Sequence, residues 1–321
     1  MTDLPRPKRV LAVCYSQTGQ LSRIAEHFLA PLRESSAVAL HLEVLRPLHD
    51  YPFPWPFLRF FDTFPETVHA VAPPLQPLSL KGDEDFDLVI VFYQVWFLAP
   101  AQPVTAFLQQ PLAEQLLRDK PVVTVIACRN MWLMAQEKMK AMLDRLGARL
   151  LDNVVLVDPS PTMASLLTTP LWLLSGKRDF IKLLPPAGVD DTAVAATRRF
   201  GLALRDGLGR DKERGTAPLL RGLHAVDANP HLLVSEKAAT RSFYLWGKLL
   251  RAVGKPGQLR RMPALILYVV FLVTLILTVV PLSLLIQALL RPLLRKRFAR
   301  LKERFDAPSG AGSERMHRYV Q

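Results

Sequence analysis

The sequence predicts an α/β fold with a doubly wound parallel sheet, followed by a C-terminal membrane helix. Short apolar runs rich in β-forming residues alternate with helical patterns through the first two thirds of the chain, which is typical of a parallel sheet covered by helices. Residues 264–290 contain no charged side chain, and this stretch exceeds the roughly 20 residues that an α-helix needs to cross a bilayer.

The first strand and the first helix are the clearest of the predicted elements. Residues 10–15 (VLAVCY) form a continuous apolar run that predicts a strand buried on both faces. Residues 16–20 interrupt this run, and residues 21–32 then carry apolar side chains at helical spacing. The sequence therefore predicts a strand, a turn and a helix in close succession.

The same alternation recurs through residues 1–210, which we predict to form one α/β domain. Further strands are predicted at residues 88–92, 122–127 and 154–157, and further helices at residues 104–117, 132–146 and 192–208. Because helical segments connect the strands, the sheet should be parallel with helices on both faces.

Two long segments interrupt this alternation. Residues 51–77 are rich in Pro and aromatic side chains, and residues 159–186 are apolar. Loops of this length inside a compact domain are usually lids or binding loops. The alternative is a lipophilic surface that packs on the sheet or on another subunit, and the sequence leaves both open.

Composition supports attachment of the chain to a membrane. Of the 321 residues, 50% are hydrophobic, and the mean hydropathy is +0.16, which is high for a purely soluble protein. We predict a connector at residues 211–262 with an amphipathic segment at 242–253, a membrane-embedded helix at 263–290 and a basic tail at 291–321. A buried core helix is the alternative, which the length of the charge-free stretch disfavours.

The positive charge of the chain is concentrated beside the apolar stretch. The net charge is +13, and residues 241–321 hold 15 of the 41 Lys and Arg residues but only 3 of the 28 Asp and Glu residues. Basic clusters beside an apolar segment attract anionic lipid headgroups. Nucleic-acid binding is disfavoured, because no nucleic-acid-binding motif accompanies the charge.

The sequence leaves the topology of the membrane helix open. Cys14 and Cys128 lie in strand-like runs and cannot form a disulfide framework, so we place the α/β domain in the cytoplasm at the inner membrane. A single span would then put the basic residues at 291–304 outside, against the positive-inside rule. Pro281 could kink the helix and return the chain. We therefore favour a re-entrant or in-plane anchor over a full span.

Three loops should converge at one edge of the sheet, where ligands of open α/β sheets bind. The first loop contains Ser16, Thr18 and Gly19 before a helix, and the N-terminus of a helix favours an anion. The other candidate side chains follow the next two strands: Trp96 and Phe97 in the second loop, and Arg129, Asn130, Met131 and Trp132 in the third.

These loops resemble those of the flavodoxin family. VLAVCYSQTGQLSRIA is similar to the flavodoxin fingerprint, and DLVIVFYQVWFLAPAQPVTAFL is similar to the second flavin loop of WrbA-like proteins and quinone reductases. The resemblance covers residues 8–208 and implies a flavodoxin-like fold with FMN as cofactor. It implies that the phosphate is bound by Ser16, Gln17, Thr18, Gly19 and Gln20, and that Trp96 and Phe97 flank the isoalloxazine ring, with Arg129, Asn130, Met131 and Trp132 on its other side.

Three positions depart from the flavodoxin pattern. Leu21 lies where many flavodoxins have Thr, Gln94 where Pro is usual, and Leu98 where Gly usually allows close approach to the ring.

A narrower resemblance extends along nearly the whole chain. YPFPWPFLRFFDTFPETVH, ACRNMWLMAQEK and the C-terminal apolar helix resemble the bacterial proteins called dialkylresorcinol condensing enzymes. This resemblance implies a role in the biosynthesis of dialkylresorcinols or other aromatic polyketides. The partners it implies are a lipophilic aromatic or polyketide substrate, the membrane, a ketosynthase, an acyl carrier protein and a second copy of the chain.

Three functions follow from these patterns. We predict a membrane-tethered, FMN-dependent oxidoreductase that aromatises a lipophilic ring. The alternatives are a flavin-free condensing or cyclising enzyme and a non-catalytic scaffold for a ketosynthase and an acyl carrier protein. A condensing enzyme needs an activated Cys thiolate, and no His-containing motif accompanies Cys14 or Cys128. The catalytic residues are not identified by the sequence, and the seven His residues show no metal-ligand spacing, so no metal site is predicted.

Overall fold

The computed structural model describes residues 6–319, with the side chains of all of these except residues 162–163 and 279–294. The strands are β1 (Lys8–Cys14), β2 (Val38–Val44), β3 (Leu88–Trp96), β4 (Ala99–Pro100), β5 (Pro121–Cys128) and β6 (Arg149–Val157). The α-helices are α1 (Gln20–Arg33), α2 (Phe57–Asp62), α3 (Phe64–Val68), α4 (Gln102–Leu108), α5 (Pro111–Leu117), α6 (Leu133–Arg145), α7 (Thr162–Ser175), α8 (Asp191–Ala195), α9 (Arg198–Leu208), α10 (Leu233–Val253) and α11 (Met262–Asp306). Short 3₁₀ helices lie at Lys212–Arg214, Pro230–Leu232, Leu259–Arg261 and Met316–Arg318.

The five long strands form a parallel sheet in the order β2-β1-β3-β5-β6, and β4 pairs antiparallel with β3. Counted along the chain, the order of the long strands is 2-1-3-4-5, which defines flavodoxin-like folds. The predicted doubly wound α/β fold is therefore confirmed. Strand β2 was missed from the sequence, because it lies at the sheet edge and six of its seven residues are exposed or partly exposed.

The hydrophobic core lies between the sheet and the helices that pack on it. Strands β1, β3 and β5 are buried along most of their length, since they lie inside the sheet with both faces covered. Helix α1 packs on α9, where Phe28 stacks on Phe200 with 5.9 Å between ring centroids. This packing fixes the loops that leave the carboxyl ends of the strands.

The two insertions are partly helical and pack on each other. The insertion at residues 51–77 contains α2 and α3, and the insertion at 159–186 contains α7. The backbone N–H of Trp55 donates to the carbonyl of Leu173 at 2.8 Å, and the rings of Phe53 and Trp172 meet edge to face at 6.3 Å. Both insertions thus form one covering layer.

Helices α10 and α11 follow the α/β domain. The predicted amphipathic segment at 242–253 is the second half of α10. Helix α11 begins at the predicted membrane helix, but it continues through position 281 and ends only at Asp306. Among the described residues, Leu259–Thr278 is long and apolar enough to cross a membrane, with a mean hydropathy of 2.1. This segment is a candidate membrane anchor.

Residues 307–319 return to the α/β domain. The hydroxyl of Ser309 is fully buried, donates to the Asp152 carboxylate at 2.7 Å and accepts from the backbone N–H of Asn153 at 2.8 Å. The backbone N–H of His224 donates to the carbonyl of Gly312 at 2.6 Å. The segment expected to be a basic tail is therefore the end of α11 followed by a stretch that packs beside β6.

Candidate functional site

The loop after β1 opens onto the N-terminus of α1. Gly19 precedes the helix with a φ of +81°, which glycine adopts without strain, and a Cβ atom built there meets no atom within 4 Å. The open space lies over the first turn of α1, whose N–H groups have no partners inside the helix. Thr18 is half-buried beside it, and Ser16 Oγ is buried without a hydrogen-bond partner among the described residues. This arrangement suits an anion such as a phosphate.

The side chains of Gln17 and Gln20 hold neighbouring loops. Gln17 Nε2 donates to the carbonyl of Pro52 at 3.0 Å. Gln20 Nε2 donates to the carbonyl of Val189 at 2.9 Å, and its Oε1 accepts from the N–H of the same residue at 3.1 Å. Both side chains were predicted to bind a phosphate, and the structure engages them elsewhere because two distant segments fold over this loop.

Trp96 ends β3 inside a cluster of aromatic side chains. Its ring makes edge contacts with Tyr15, Tyr51 and Trp55, at centroid distances of 6.0, 5.0 and 6.0 Å. Because Tyr15 directly precedes the first loop, this cluster borders the open space at the start of α1. Reasoning from the sequence missed the other three rings as site residues, although the aromatic content of residues 51–77 was a signal for two of them.

Phe97 packs on aromatic side chains of α2, α3 and α10. It contacts Phe64 and Phe243 with centroid distances of 5.7 and 6.2 Å, beneath α10 and α11. Phe97 is linked to the Trp96 cluster through Phe60, whose ring centroid lies 5.1 Å from that of Phe97 and 5.7 Å from that of Trp55. Phe97 and Leu98 have φ values of +49° and +59°, so Leu98 adopts a glycine-like conformation where the flavodoxin pattern has Gly.

The third loop places two polar side chains at the edge of the sheet. Arg129 Nη1 and Asn130 Oδ1 are buried, and neither has a hydrogen-bond partner among the described residues. Burial lowers the pKa of the Arg129 guanidinium. Met131 lies beside it, with 3.9 Å from Sδ to Arg129 Nη2. Trp132 instead is 1% exposed in the hydrophobic core, because it directly precedes α6, which packs on the sheet.

Four buried polar atoms without partners among the described residues cluster at this edge: Ser16 Oγ, Gln94 Nε2, Arg129 Nη1 and Asn130 Oδ1. The pairing of β1 with β3 ends at Cys14 and Phe92, and that of β3 with β5 ends at Gln94 and Ala127. These atoms therefore lie at or just beyond the ends of adjacent strands. An unpaired buried polar group costs about 1–3 kcal/mol, and a polar ligand would remove that cost. Their clustering marks a candidate ligand site.

The insertions cover this candidate site. Gly188 follows the second insertion with a φ of +90°, and a Cβ atom there would lie 2.8 Å from the side chains of Gln20 and Trp172. Glycine is needed at this position because the cover approaches the first loop so closely. The second insertion therefore packs closely on the first loop, and the hypothesis of a covering lid stays a prediction.

A cavity of about 930 Å³ adjoins the Trp96 cluster. Tyr51, Trp55 and Gln102 line one part of it, and Gly257 and Met262 line another. Small-molecule sites have volumes of roughly 300–1,000 Å³. The cavity therefore extends from the aromatic cluster to the start of α11 and has room for an organic substrate.

Neither cysteine is an activated nucleophile. Burial raises the pKa of the Cys14 thiol to about 12, and burial raises the pKa of the Cys128 thiol well above its usual range. Condensation through a thioester needs a thiolate. The structure therefore gives no support for a cysteine-based condensing mechanism.

Two buried carboxyl groups near the third loop were also missed from the sequence. Asp158 accepts from the backbone N–H groups of Ser160 and Gly188, each at 2.8 Å. Glu236 reaches from α10 to accept from the N–H of Met134 at 2.8 Å, in the first turn of α6. Asp158 thus links the end of β6 to Gly188, and Glu236 links α10 to the first turn of α6. The described residues contain no group of three or more His, Cys, Asp and Glu side chains that could hold a metal ion.

Solved structures similar to this chain include flavoproteins and flavodoxins. The chain has a flavodoxin-like fold. A flavoprotein in complex with FMN from Lactobacillus acidophilus is 16% identical, over 46% of this chain and 93% of that protein, with a TM-score of 0.38. An archaeal flavodoxin is 12% identical over 64% and 99% of the two chains, with a TM-score of 0.36. Oxidised flavodoxin 1 from Bacillus cereus is 12% identical over 61% and 95%, with a TM-score of 0.33.

No protein-family model and no curated protein sequence matches the chain. Because the TM-scores are below 0.5, the assignment of the fold rests on the strand order.

Proposed function

We propose that this chain is a membrane-attached, FMN-dependent oxidoreductase that acts on a lipophilic ring. The group of buried, unpartnered polar atoms at the carboxyl edge of β1, β3 and β5 carries the proposal. Ligands of flavodoxin-like sheets bind at this edge, at the point where the strand order reverses. A cofactor with a phosphate and a polar flat ring would satisfy those atoms.

The residues around this edge fit FMN. Ser16, Thr18 and Gly19 would hold its phosphate together with the first turn of α1. Trp96 would contact the ring on an apolar side, and Arg129 and Asn130 would pair with its polar atoms. Bound FMN supplies a hydride acceptor, so the chain itself needs only to bind and orient the substrate.

The cavity between the aromatic cluster and α11 supports a lipophilic substrate. It is lined by Tyr51 and Trp55 at the site and by Met262 at the first turn of α11, and its rim also carries charged side chains such as Arg59 and Lys255. A substrate dissolved in the bilayer would reach the site without passing through water.

The resemblance to dialkylresorcinol condensing enzymes adds the substrate class to this proposal. Oxidation of a cyclohexanedione ring to a resorcinol removes a hydride and a proton, which suits a flavoprotein. A ketosynthase and an acyl carrier protein would supply such a ring.

Substitution of Ser16 and Thr18 tests FMN binding. Thr18→Ala should raise the Kd for FMN about 5- to 150-fold, because a charge-assisted hydrogen bond contributes roughly 1–3 kcal/mol. Ser16→Ala should also weaken binding, yet it should leave the FMN-free protein equally or more stable, because Ser16 Oγ has no partner there. Flavin fluorescence titration of the full chain in detergent measures the Kd. Thr216→Ala, in an exposed loop, is the matched control. Equal Kd values for all three variants would show that the phosphate does not bind at Ser16 and Thr18.

Substitution of Trp96 tests the position of the ring. Trp96→Ala should weaken FMN binding by roughly tenfold or more and change the flavin absorption spectrum, because an aromatic contact contributes about 1 kcal/mol beyond its buried area. The control is Trp246→Ala, which removes an equally large ring that packs on Tyr268 and Phe271 instead. Equal losses in the two variants would place the ring elsewhere.

A further inference from the structure

We propose that α11 lies on one face of a membrane with anionic lipids and does not cross it, because both of its ends are bound to the same α/β domain. This inference concerns lipid as the partner of α11 and is independent of FMN binding.

The N-terminal end of α11 is held by a buried arginine. Arg261, directly before the helix, is 0% exposed, and its Nη1 and Nη2 donate to the two carboxylate oxygens of Glu66 at 3.0 and 2.9 Å. Its Nε lies 2.9 Å from Asp62 Oδ1. In the second turn of the helix, Tyr268 stacks on Phe64 with 4.1 Å between ring centroids. This end is therefore bound to the first insertion.

The C-terminal end of α11 is held by the opposite part of the domain. Asp306 Oδ1 accepts from the backbone N–H of Ala228 at 2.8 Å, and Arg304 pairs with Glu137 of α6 at 2.9 Å. Phe305 is buried in the main hydrophobic core. The buried Ser309 bonds to β6 follow only three residues later. This end is therefore also bound to the α/β domain.

Between two contacts with the segment that includes α10, helix α11 follows the longer path. Phe271 contacts Trp246, and Phe298 contacts His231, with centroid distances of 5.3 and 4.1 Å. These contacts are 27 residues apart on α11 but 15 residues apart on the segment that includes α10. At about 1.5 Å per residue the two paths measure roughly 40 and 22 Å. Helix α11 therefore cannot follow α10 along its whole length.

The described N-terminal part of α11 presents an apolar surface. Five side chains on the first third of α11 are 44% to 71% exposed: Ile266, Leu267, Val270, Val273 and Leu277. Tyr244, Leu245 and Leu249 of α10 continue the patch, with exposures of 52%, 58% and 49%. Apolar patches of this kind mark membrane or protein contacts.

Charge identifies lipid as the occupant. Arg295, Lys296, Arg297 and Arg300 are exposed near the other end of α11. An apolar face flanked by basic side chains fits the interface of a bilayer, where the apolar side chains enter the acyl region and the cations meet anionic headgroups. An in-plane helix also keeps these cations on the side of the domain, as the positive-inside rule requires.

A full span is incompatible with the contacts of the C-terminal segment. It would place Asp306 and Ser309 across the bilayer from their partners on the α/β domain. The buried Asp152 carboxylate would then lose a hydrogen-bond donor, and Phe305 would leave the core.

Thiol labelling in cells tests whether the segments before and after α11 lie on the same side of the membrane. Glu26→Cys places an exposed thiol on the domain, and Ser313→Cys places one after α11. An impermeant maleimide should label neither variant in intact cells. In inside-out vesicles it should label both variants to the same extent. The parent chain gives the background. Labelling of the Ser313→Cys variant in intact cells, with protection of the Glu26→Cys variant, would overturn the proposal.

Vesicle flotation tests the lipid surface itself. The full chain should float with vesicles that contain phosphatidylglycerol, and far less with pure phosphatidylcholine. Leu267→Lys/Leu277→Lys should reduce flotation at least tenfold, whereas Leu183→Lys, at an apolar residue that is 94% exposed outside α11, should float like the parent. Equal flotation of both variants would contradict the proposal, and so would a chain that forms a dimer through this face and does not float.

Discussion

At the scale of single residues, Glu236 is the buried ionisable group with the clearest consequence. It is 0% exposed, and its Oε2 accepts from the backbone N–H of Met134 at 2.8 Å. Its Oε1 is buried without a partner among the described residues. Burial raises the pKa of this carboxyl group to about 7, and the hydrogen bonds from the first turn of α6 offset only part of the rise. The folded protein therefore binds the Glu236 proton more tightly than the unfolded chain does.

We predict that Glu236 makes the protein less stable as pH rises. Because the pKa of this carboxyl group is raised in the folded state, its contribution to the free energy of unfolding is fully present below about pH 4.5. About 3 kcal/mol of this free energy is lost as the pH rises from 4.5 to 7. Glu236→Gln stays neutral and keeps an acceptor for Met134, so it should remove this pH dependence and be more stable than the parent at pH 8. Urea unfolding at pH 5 and pH 8 measures the free energy of unfolding of the parent and of Glu236→Gln.

The control for this variant is Glu303→Gln, at an exposed position of α11. It should retain the pH dependence of the parent. If the parent and Glu236→Gln lose the same free energy of unfolding between pH 5 and pH 8, the buried carboxyl group is not the cause.

At the scale of elements, the attachment of α11 depends on the buried ion pairs between Arg261 and two acidic side chains of the first insertion. Asp62 and Glu66 lie on α2 and α3, which are short helices within an insertion, and their side chains are 6% and 13% exposed. Two acidic side chains at such positions require a cation, and Arg261 supplies it from the other end of the chain. The same helix pair contributes Phe64 to the cluster that Phe97 joins. The insertion thus links α11 to the loop after β3.

We predict that Arg261→Met lowers the free energy of unfolding by about 3–5 kcal/mol. The reason is that Asp62 and Glu66 would remain buried without their partner. Arg260→Met is the control, because this neighbour is exposed, and it should change stability by less than about 0.5 kcal/mol. Denaturant unfolding in detergent measures both variants. Similar stabilities would mean that the ion pair does not hold α11.

At the scale of the whole molecule, the C-terminal segment closes the sheet at β6. Residues 219–228 run beside this edge strand, where the N–H of Val155 donates to the carbonyl of Ala225 at 2.9 Å. Asp152 accepts from the N–H groups of Leu219 and Leu220 at 2.7 and 3.1 Å and from Ser309. Covering an edge strand prevents pairing with other chains. The residues after α11 are therefore part of the folded domain.

We predict that Ser309→Ala lowers the free energy of unfolding by about 1–3 kcal/mol. The change removes a donor from the buried Asp152 carboxylate and an acceptor from the N–H of Asn153. Ser313→Ala, four residues later and exposed, should leave stability within about 0.5 kcal/mol of the parent. Unfolding followed by circular dichroism provides the measurement, and equal values for the two variants would rule out a structural role for Ser309.

The sequence by itself determined the strands β1, β3, β5 and β6, the helices α1 and α6 and the apolar stretch of α11. These features depend on local periodicity and on the absence of charge, which are readable without knowledge of distant contacts. The converging loops could also be predicted, since parallel strands end at one edge. The glycine turn at Gly19 and the polar side chains of Ser16 and Arg129 lie at that edge as expected.

Only the tertiary structure decided how the side chains divide between site and core. Gln17 and Gln20 bond to segments far along the chain, Trp132 fills the core, and Phe97 joins a cluster with Phe243 of α10. The path of the chain after α11 was equally hidden, because the bonds of Ser309 pair residues more than 150 positions apart. Such contacts depend on which surfaces meet after folding, and no local pattern records them.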